Sequence, residues 1–281
     1  MILISKHPYY INETLYSGQA FRWNKLNNTD VNEGIVEGTR IRVTQVEEGI
    51  HCEFGGGTGF DENSMEKYLR LDDDMSLIYS QMSEDDYFNR AQKLYNGLHI
   101  LRQDPWECLV TFICSANNNI PRIKSLVNSM AIHCGQRVID QFGDFYAFPT
   151  PNEVFEFGEH GLRSIGLGFR AKYVAKVAGM IVEEETDLKY YRTLSYEEAL
   201  ENLIRFPGVG DKVANCVLLF SMDKLQAFPV DVWIKRVLRE NYLKGGEKKI
   251  PDNGLRVWAQ EHFGQFAGYA NQYLFHQKRL T

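Results

Sequence analysis

The amino-acid sequence predicts an α+β fold in which an N-terminal antiparallel β-sheet subdomain packs on two mainly helical subdomains. Between residues 30 and 60, the segments IRV (41–43) and IHCEF (50–54) alternate apolar and polar residues around a VEEG turn, as half-buried strands do. Beyond residue 83 the apolar residues recur mainly at helical spacing. We therefore predict a sheet-containing domain over residues 1–95 and a helical region over residues 96–281.

The composition is that of an ordinary globular protein, with 44% hydrophobic and 24% charged residues. No apolar run reaches membrane-spanning length, and the apolar start of MILISKHPYY is too short for a signal peptide, so we expect a reducing compartment and no membrane partner. The five cysteines lack CxxC or Cys/His ligand spacing. This predicts free thiols, with neither a zinc site nor an iron–sulfur cluster.

The net charge of −6 argues against a nucleic-acid partner, but the charge is unevenly distributed. Between residues 160 and 182 there is no acidic residue, and a second basic group follows near residue 235. The basic side chains are Arg163, Arg170, Lys172, Lys176, Lys235, Arg236 and Arg239. Phosphate binding requires local positive charge, so both DNA contacts and plain solvated helix faces remain open.

The segment over about 195–221 predicts two helices joined by a glycine turn. Ser195 and Glu198 form a capping box for the first helix, Pro207 ends it, and Asp211 is the predicted N-cap of the second. Such a helix-hairpin-helix presents backbone N–H groups to a DNA phosphate without reading base identity. A plain helical hairpin is the alternative. The nearby GLGFRA and GVGDKV segments do not predict a dinucleotide fold, because no buried strand precedes them.

Lys212 and Asp231 are the candidate catalytic pair. A lysine nucleophile must lose its proton, which burial favours more strongly than a helix N-terminus does. Asp231 follows Pro229 in the loop over about 226–231 and is also a predicted helix N-cap. A fixed carboxylate can stabilise a cationic sugar while an amine captures C1′ as a Schiff base. Taken singly, a surface lysine and a capping aspartate would explain both residues.

These segments resemble the helix-hairpin-helix (HhH-GPD) DNA glycosylases, and more narrowly the 8-oxoguanine DNA glycosylase/AP lyases. The resemblance rests on LIRFPGVGDKVANC followed by AFPVD, together with four further segments in the family's order. These are SGQAFRW (17–23), LRQDPWECLVTFICSANNNIPRI (101–123), GLGFRAKYV (166–174) and AGYANQYLF (267–275). It therefore extends over almost the whole chain.

The resemblance implies a role for each matching residue. Lys212 would be the nucleophile and Asp231 its partner, while the carbonyl of Gly18 would accept the N7–H that guanine gains on oxidation. The base pocket would comprise Gly18, Cys216, Pro229, Asn271 and Phe275, with Cys216 and Phe275 sandwiching the flipped base and Asn271 at its Watson–Crick edge. Asn117 would fill the gap in the duplex, Arg122 and Arg170 would read the orphaned cytosine, and Phe169 would act as a wedge. The DNA backbone would contact Gly208, Val209, Gly210 and Trp233, and an ion could bind the carbonyls of Ile204, Phe206 and Val209.

Three positions depart from the pattern of the animal enzymes. Phe169 replaces a tyrosine, Asn271 a glutamine and Trp233 a histidine. Asn271 is one methylene shorter, which puts a direct contact with the base edge in doubt. Trp233 retains one N–H donor but cannot become cationic, so its phosphate contact is expected to be weaker.

The resemblance implies a monomeric, cofactor-independent enzyme that acts on double-stranded DNA containing 8-oxoguanine, preferably opposite cytosine. It would flip out the base, cleave the N-glycosidic bond and nick the strand by β-elimination. Its location would be the nucleoid-associated cytoplasm of a prokaryote or the nucleus of a eukaryote. Two alternatives remain: a glycosylase for alkylated purines, although such enzymes typically lack the hairpin lysine, and a non-catalytic duplex-binding protein.

Overall fold

A five-stranded antiparallel sheet and a larger helical body make up the computed structural model, which describes residues 1–56, 59–243 and 250–280. The sheet has the order β1-β5-β4-β3-β2. Its strands are β1 (Ile2–Leu3), β2 (Trp23–Lys25), β3 (Asn32–Val36), β4 (Thr39–Val46) and β5 (Gly49–Phe54). The predicted α+β class, with an N-terminal antiparallel sheet, is confirmed.

One face of this sheet is apolar because inward residues of neighbouring strands lie opposite each other. Val43 of β4 pairs with Cys52 of β5, and both are buried with Ile41 and Ile50. The remaining side of the small core is formed by helices α1 (Ile11–Leu15) and α2 (Glu62–Tyr68), which supply buried Leu15 and Tyr68. The alternation of apolar and polar residues in the sequence therefore corresponds to side chains that point alternately into this core and away from it.

Eleven further α-helices of the described chain follow α2. They are α3 (Met75–Ser80), α4 (Asp86–Leu94), α5 (Pro105–Cys114), α6 (Ile120–Cys134), α7 (Pro151–Ser164), α8 (Ala171–Glu183), α9 (Tyr196–Ile204), α10 (Asp211–Ser221), α11 (Val232–Val237), α12 (Leu255–Phe263) and α13 (Ala267–Leu280). Helix α10 packs on α5 and α9, whereas α13 packs on α4, α11 and α12. Lys212 lies in the first of these two groups of helices, and Asp231 directly precedes α11 of the second.

The larger core takes side chains from both sides of residue 95. Met75, Ile78 and Phe88, from α3 and α4, are buried in the same cluster as Leu109 of α5 and Tyr273 of α13. The domain boundary between residues 95 and 96 stays a prediction.

A second hairpin, β6 (Arg137–Asp140) with β7 (Gly143–Tyr146), lies in the region that we expected to be helical, which corrects that expectation. Its strands are only four residues long, too short for a clear signal in the sequence. Long-range contacts hold it in place, because Arg40 of β4 donates to the carbonyl oxygen of Asp144 and lies 3.5 Å from the carboxylate of Asp140.

The expected ends of two helices are also wrong. The apolar pattern near the C-terminal end predicts one helix running roughly from Leu255 to Phe275. The structure has two helices there, because Gly264 adopts a left-handed φ of 69° after α12. Asp211 is the first residue of α10 rather than its N-cap, which is Gly210, and the Asp211 carboxylate instead accepts a 2.8 Å hydrogen bond from Arg256. The sequence also predicts a loop over 244–254 and an end to the strand region at GGGTG (55–59), and both segments lie partly outside the described residues.

Two expectations from composition concern membranes and cysteines. Across the described residues, no helix is both long enough and apolar enough to cross a bilayer. All five cysteines are free thiols, and four of them are buried. Burial raises the pKa of Cys114 to about 12, so this thiol stays protonated at neutral pH.

Candidate active site

The hairpin between α9 and α10 has a shape that only glycine permits at one position. Ser195 and Glu198 form the predicted capping box at the start of α9, and the chain turns at Pro207 before α10 begins. Gly208 has a φ of +84°, and a Cβ there would lie 2.7 Å from the ring of Tyr173. Glycine at this position therefore allows the turn to pack directly against Tyr173.

Lys212 lies in the first turn of α10 with its amine directed back toward the end of α5. Nζ donates a 2.9 Å hydrogen bond to Oγ of Ser115 and lies 5.2 Å from the centroid of the Phe112 ring. The side chain is partly buried. The amine is thus held against apolar and hydroxyl groups and not in open solvent.

Asp231 is the N-cap of α11, as predicted. Its Oδ1 accepts hydrogen bonds from the backbone N–H of Trp233 at 3.0 Å and of Ile234 at 2.8 Å. Burial raises the pKa of the Asp231 carboxyl above its usual value, and the Ile234 N–H and the Lys212 charge oppose that rise. Both capping bonds use one oxygen, which fixes the direction of the whole carboxyl group.

The charges of Lys212 and Asp231 both act on Cys216, which lies one turn further along α10 than Lys212. Burial raises the pKa of the Cys216 thiol to about 11, with Lys212 lowering it and Asp231 raising it. The amine and the carboxylate, both within the described chain, interact through space without a direct ion pair. The lone pair that an amine uses to form an imine is therefore not directed at the carboxylate.

Two contacts join residues of the expected base pocket in pairs, Gly18 with Phe275 and Asn271 with Pro229. Gly18 has a φ of +86°, and a Cβ there would lie 3.0 Å from the Phe275 ring and 3.2 Å from Ile120. Asn271 is only 4% exposed and its amide donates to the Pro229 carbonyl at 2.8 Å. One N–H of the short Asn271 side chain is therefore used within the protein, and its role at the base edge stays a prediction.

Arg170 contacts two of the other three residues expected at the opposite base, Phe169 and Asn117. The Arg170 guanidinium lies 4.5 Å from the centroid of the Phe169 ring, and that ring is 46% exposed. Arg170 also donates to the carbonyl of Asn117 at 3.0 Å, and Arg122 donates to the carbonyl of Gly166 at 3.0 Å. Asn117 has a φ of 48°, which projects an exposed side chain from a tight turn.

The expected backbone contacts and the ion site are less directly supported. Trp233 is 39% exposed, and the Arg236 guanidinium lies 5.4 Å from its ring centroid, so an aromatic and a cation share this surface. No group of three His, Cys, Asp or Glu side chains that could hold a metal occurs among the residues described. The carbonyl ion site at Ile204, Phe206 and Val209 stays a prediction. The Phe206 carbonyl already accepts a 3.1 Å bond from Val209 N–H.

Sequence reasoning missed two polar residues beside the catalytic pair. Ser115 contacts the Lys212 amine, and buried Asn215 accepts hydrogen bonds from the Tyr196 hydroxyl at 2.7 Å and from Phe228 N–H at 3.3 Å. Both stand within the quoted motifs, in FICSANNN and GDKVANC. Their types gave no signal, because serine and asparagine beside a helix end are usually local caps.

Two family models match the chain in succession. Residues 1–109 match the model described as 8-oxoguanine DNA glycosylase, N-terminal domain, and residues 110–259 match the HhH-GPD superfamily base excision DNA repair protein. Among curated proteins, the N-glycosylase/DNA lyase OGG1 of Arabidopsis thaliana is 32% identical over 93% of this chain and 75% of its own length.

Solved structures agree with these matches. The Clostridium acetobutylicum 8-oxoguanine glycosylase/lyase, in complex with dsDNA containing cytosine opposite to 8-oxoG, is 33% identical with a TM-score of 0.89. The alignment covers 100% of this chain and 98% of that one. A 3-methyladenine DNA glycosylase from Archaeoglobus fulgidus has a TM-score of 0.81 over 99% of this chain and 98% of its own. It is only 22% identical and so shows the shared fold alone.

Proposed function

The chain belongs to the HhH-GPD superfamily of base excision DNA repair proteins and within it to the 8-oxoguanine DNA glycosylase/lyases, and we propose that it excises 8-oxoguanine from duplex DNA and then nicks the strand. The single observation that carries the proposal is a lysine amine held out of open solvent by Ser115 while the capped Asp231 carboxylate lies within reach of its charge. The choice of 8-oxoguanine as substrate is supported by the substrate that the solved relative's description names and by the closeness of Gly18 to the Phe275 ring.

The reaction begins with a base turned out of the duplex, at a cost of a few kcal/mol. The Phe169 ring and the Asn117 side chain are both exposed, so each can insert into a DNA duplex that is bound at this surface. Arg122 and Arg170 supply N–H donors for the orphaned base, whose preferred identity we propose to be cytosine. The Gly18 carbonyl accepts N7–H of 8-oxoguanine, whereas normal guanine offers only an acceptor there.

Base removal uses protein groups alone and needs no cofactor or iron–sulfur cluster. As the bond between C1′ and the base breaks, its electron pair leaves with the base and positive charge develops on the sugar. The fixed Asp231 carboxylate stabilises that charge, and the lone pair of neutral Lys212 forms the new bond to C1′. After the amine has given one proton to the departing base, its nitrogen expels O4′, which takes up a proton, and a protonated imine remains. Loss of a C2′ proton then eliminates the 3′ phosphate.

The remaining features of the proposal concern partners and location. We propose a monomer that contacts the DNA backbone through Gly208, Val209, Gly210 and Trp233. The exposure of Trp233 and the open space at Gly210, where a Cβ would meet no atom within 4 Å, support these contacts. The proposed location is that of genomic DNA, which is the nucleoid in a prokaryotic cell or the nucleus in a eukaryotic one.

The test is borohydride trapping on a duplex that contains 8-oxoguanine opposite each of the four bases in turn. We expect fastest excision opposite cytosine and a covalent enzyme–DNA adduct that Lys212→Gln abolishes, because glutamine cannot form an imine. Lys93→Gln, an exposed lysine of α4, is the control and should trap normally. An undiminished adduct with Lys212→Gln would show that Lys212 is not the nucleophile. Excision of 3-methyladenine but not of 8-oxoguanine would show that the protein acts on alkylated purines instead.

A further inference from the structure

The Ser115 hydroxyl can only accept a hydrogen bond from Lys212, because its single proton is already used. Ser115 is the C-cap of α5, and its Oγ donates a 2.6 Å hydrogen bond to the carbonyl of Phe112. A hydroxyl has one proton and two lone pairs. The oxygen 2.9 Å from Lys212 Nζ therefore presents a lone pair to the amine.

The position of this hydroxyl is fixed from both sides of the chain. On the N-terminal side it belongs to α5, which packs against α10, the helix that carries Lys212. On the C-terminal side, Arg170 Nε donates to the Ala116 carbonyl at 3.0 Å and Asn118 donates to the Cys114 carbonyl at 2.9 Å. An acceptor held this firmly can orient a flexible four-carbon side chain.

We propose that Ser115 is a positioning residue for the Lys212 amine, an inference that rests on the proposed function. By accepting one N–H, Ser115 directs the remaining N–H and the lone pair of the neutral amine away from itself, toward the side where Cys216 and Asp231 lie. In the reaction, the lone pair forms the bond to C1′ and the amine passes one proton to the departing base. The protonated imine that results has a single N–H, which Ser115 still accepts.

The experiment uses the full chain and a duplex with a preformed abasic site, so that imine formation is measured apart from base recognition. We expect Ser115→Ala to slow single-turnover borohydride trapping at saturating DNA by about tenfold, the effect of losing one ordinary hydrogen bond. The DNA concentration for half-maximal trapping should not change. Ser115→Cys should be similarly slow because a thiol is a weak acceptor, and Ser115→Thr should recover most of the rate.

Ser80→Ala is the matched control, since the Ser80 hydroxyl also donates to the carbonyl three residues earlier, in α3, far along the chain from Lys212. It should trap at the wild-type rate. Wild-type trapping by Ser115→Ala or Ser115→Cys overturns the inference, as does slow trapping by a Ser115→Thr variant that melts at the wild-type temperature. If the wild-type protein itself forms no adduct, the proposed function fails and not merely the role of Ser115.

Discussion

Asp231 shows at the scale of one residue how a structural position and a chemical one coincide. Its Oδ1 satisfies two backbone N–H groups at the start of α11, which is the ordinary work of an N-cap. Burial nevertheless raises its pKa, so the folded protein binds a proton at this site more tightly than the unfolded chain does. Holding the carboxylate ionised at neutral pH therefore costs folding free energy.

We expect Asp231→Asn to slow base release by about 100-fold while DNA binding stays nearly intact, because the electrostatic stabilisation of the sugar is lost. Asparagine is an equally good N-cap and carries no buried charge, so the melting temperature at pH 7 should not fall. Single-turnover excision, a DNA-binding isotherm and thermal unfolding measure the three quantities. Loss of DNA binding or a clear drop in melting temperature would show a capping role only.

At the scale of secondary-structure elements, Asn215 joins the helix that carries Lys212 to the loop that carries Asp231. Its side chain lies fully buried in α10, donates to the Asp211 carbonyl at 2.8 Å and accepts from Phe228 N–H in the loop over 226–231. Tyr196 of α9 donates to the same oxygen. One amide thus sets the distance between two segments that are separate in sequence.

We expect Asn215→Ala to lower the free energy of unfolding by about 2–3 kcal/mol, because the Phe228 N–H and the Tyr196 hydroxyl lose their buried acceptor. Excision should also slow, since the loop bearing Asp231 is no longer tied to α10. Asn202→Ala is the matched control because Asn202 also donates to the carbonyl four residues earlier but lies partly exposed in α9. Chemical denaturation that gives equal losses for both variants would contradict the prediction.

At the scale of the whole molecule, Arg22 and Glu107 lie where the sheet subdomain, α5 and the β6–β7 hairpin meet. Arg22 Nη1 lies 4.0 Å from the Glu107 carboxylate, and Arg22 also donates to the Tyr146 carbonyl of β7. Burial raises the pKa of Glu107 to about 7, although the Arg22 charge opposes this rise. Burial likewise lowers the pKa of Arg22. Burying the ionised form of Glu107 at this junction therefore destabilises the folded protein.

The raised pKa predicts a pH dependence of stability with a definite sign. Folded Glu107 has a pKa of about 7 against an ordinary 4.5. The stability that the folded state gains by binding this proton is therefore fully present below pH 4.5 and is lost as pH rises through 7. The loss amounts to at most about 3 kcal/mol. We expect the unfolding free energy of Glu107→Gln, followed from pH 5 to 8, to lack this decline. Parallel curves for wild type and variant would contradict the prediction.

How far the sequence predicted this protein depends on how local each feature is. The capping box at Ser195, the cap at Asp231 and the alternation of β4 and β5 need only neighbouring residues, and all are found as predicted. The β6–β7 hairpin and the break at Gly264 were missed, because docking of the hairpin by Arg22 and Arg40 and one left-handed glycine outweigh weak local preferences.

By itself the sequence determined the fold class, the helix-hairpin-helix and the order of the motifs that define the family. Each of these depends on residues that are close together in the chain. The tertiary structure alone decided that the Lys212 amine contacts the hydroxyl of Ser115, ninety-seven residues earlier, and that the Asn271 amide donates to the Pro229 carbonyl. The physical reason is that hydrogen bonds between distant segments depend on how helices pack, and packing is fixed by the whole buried core and not by any one segment.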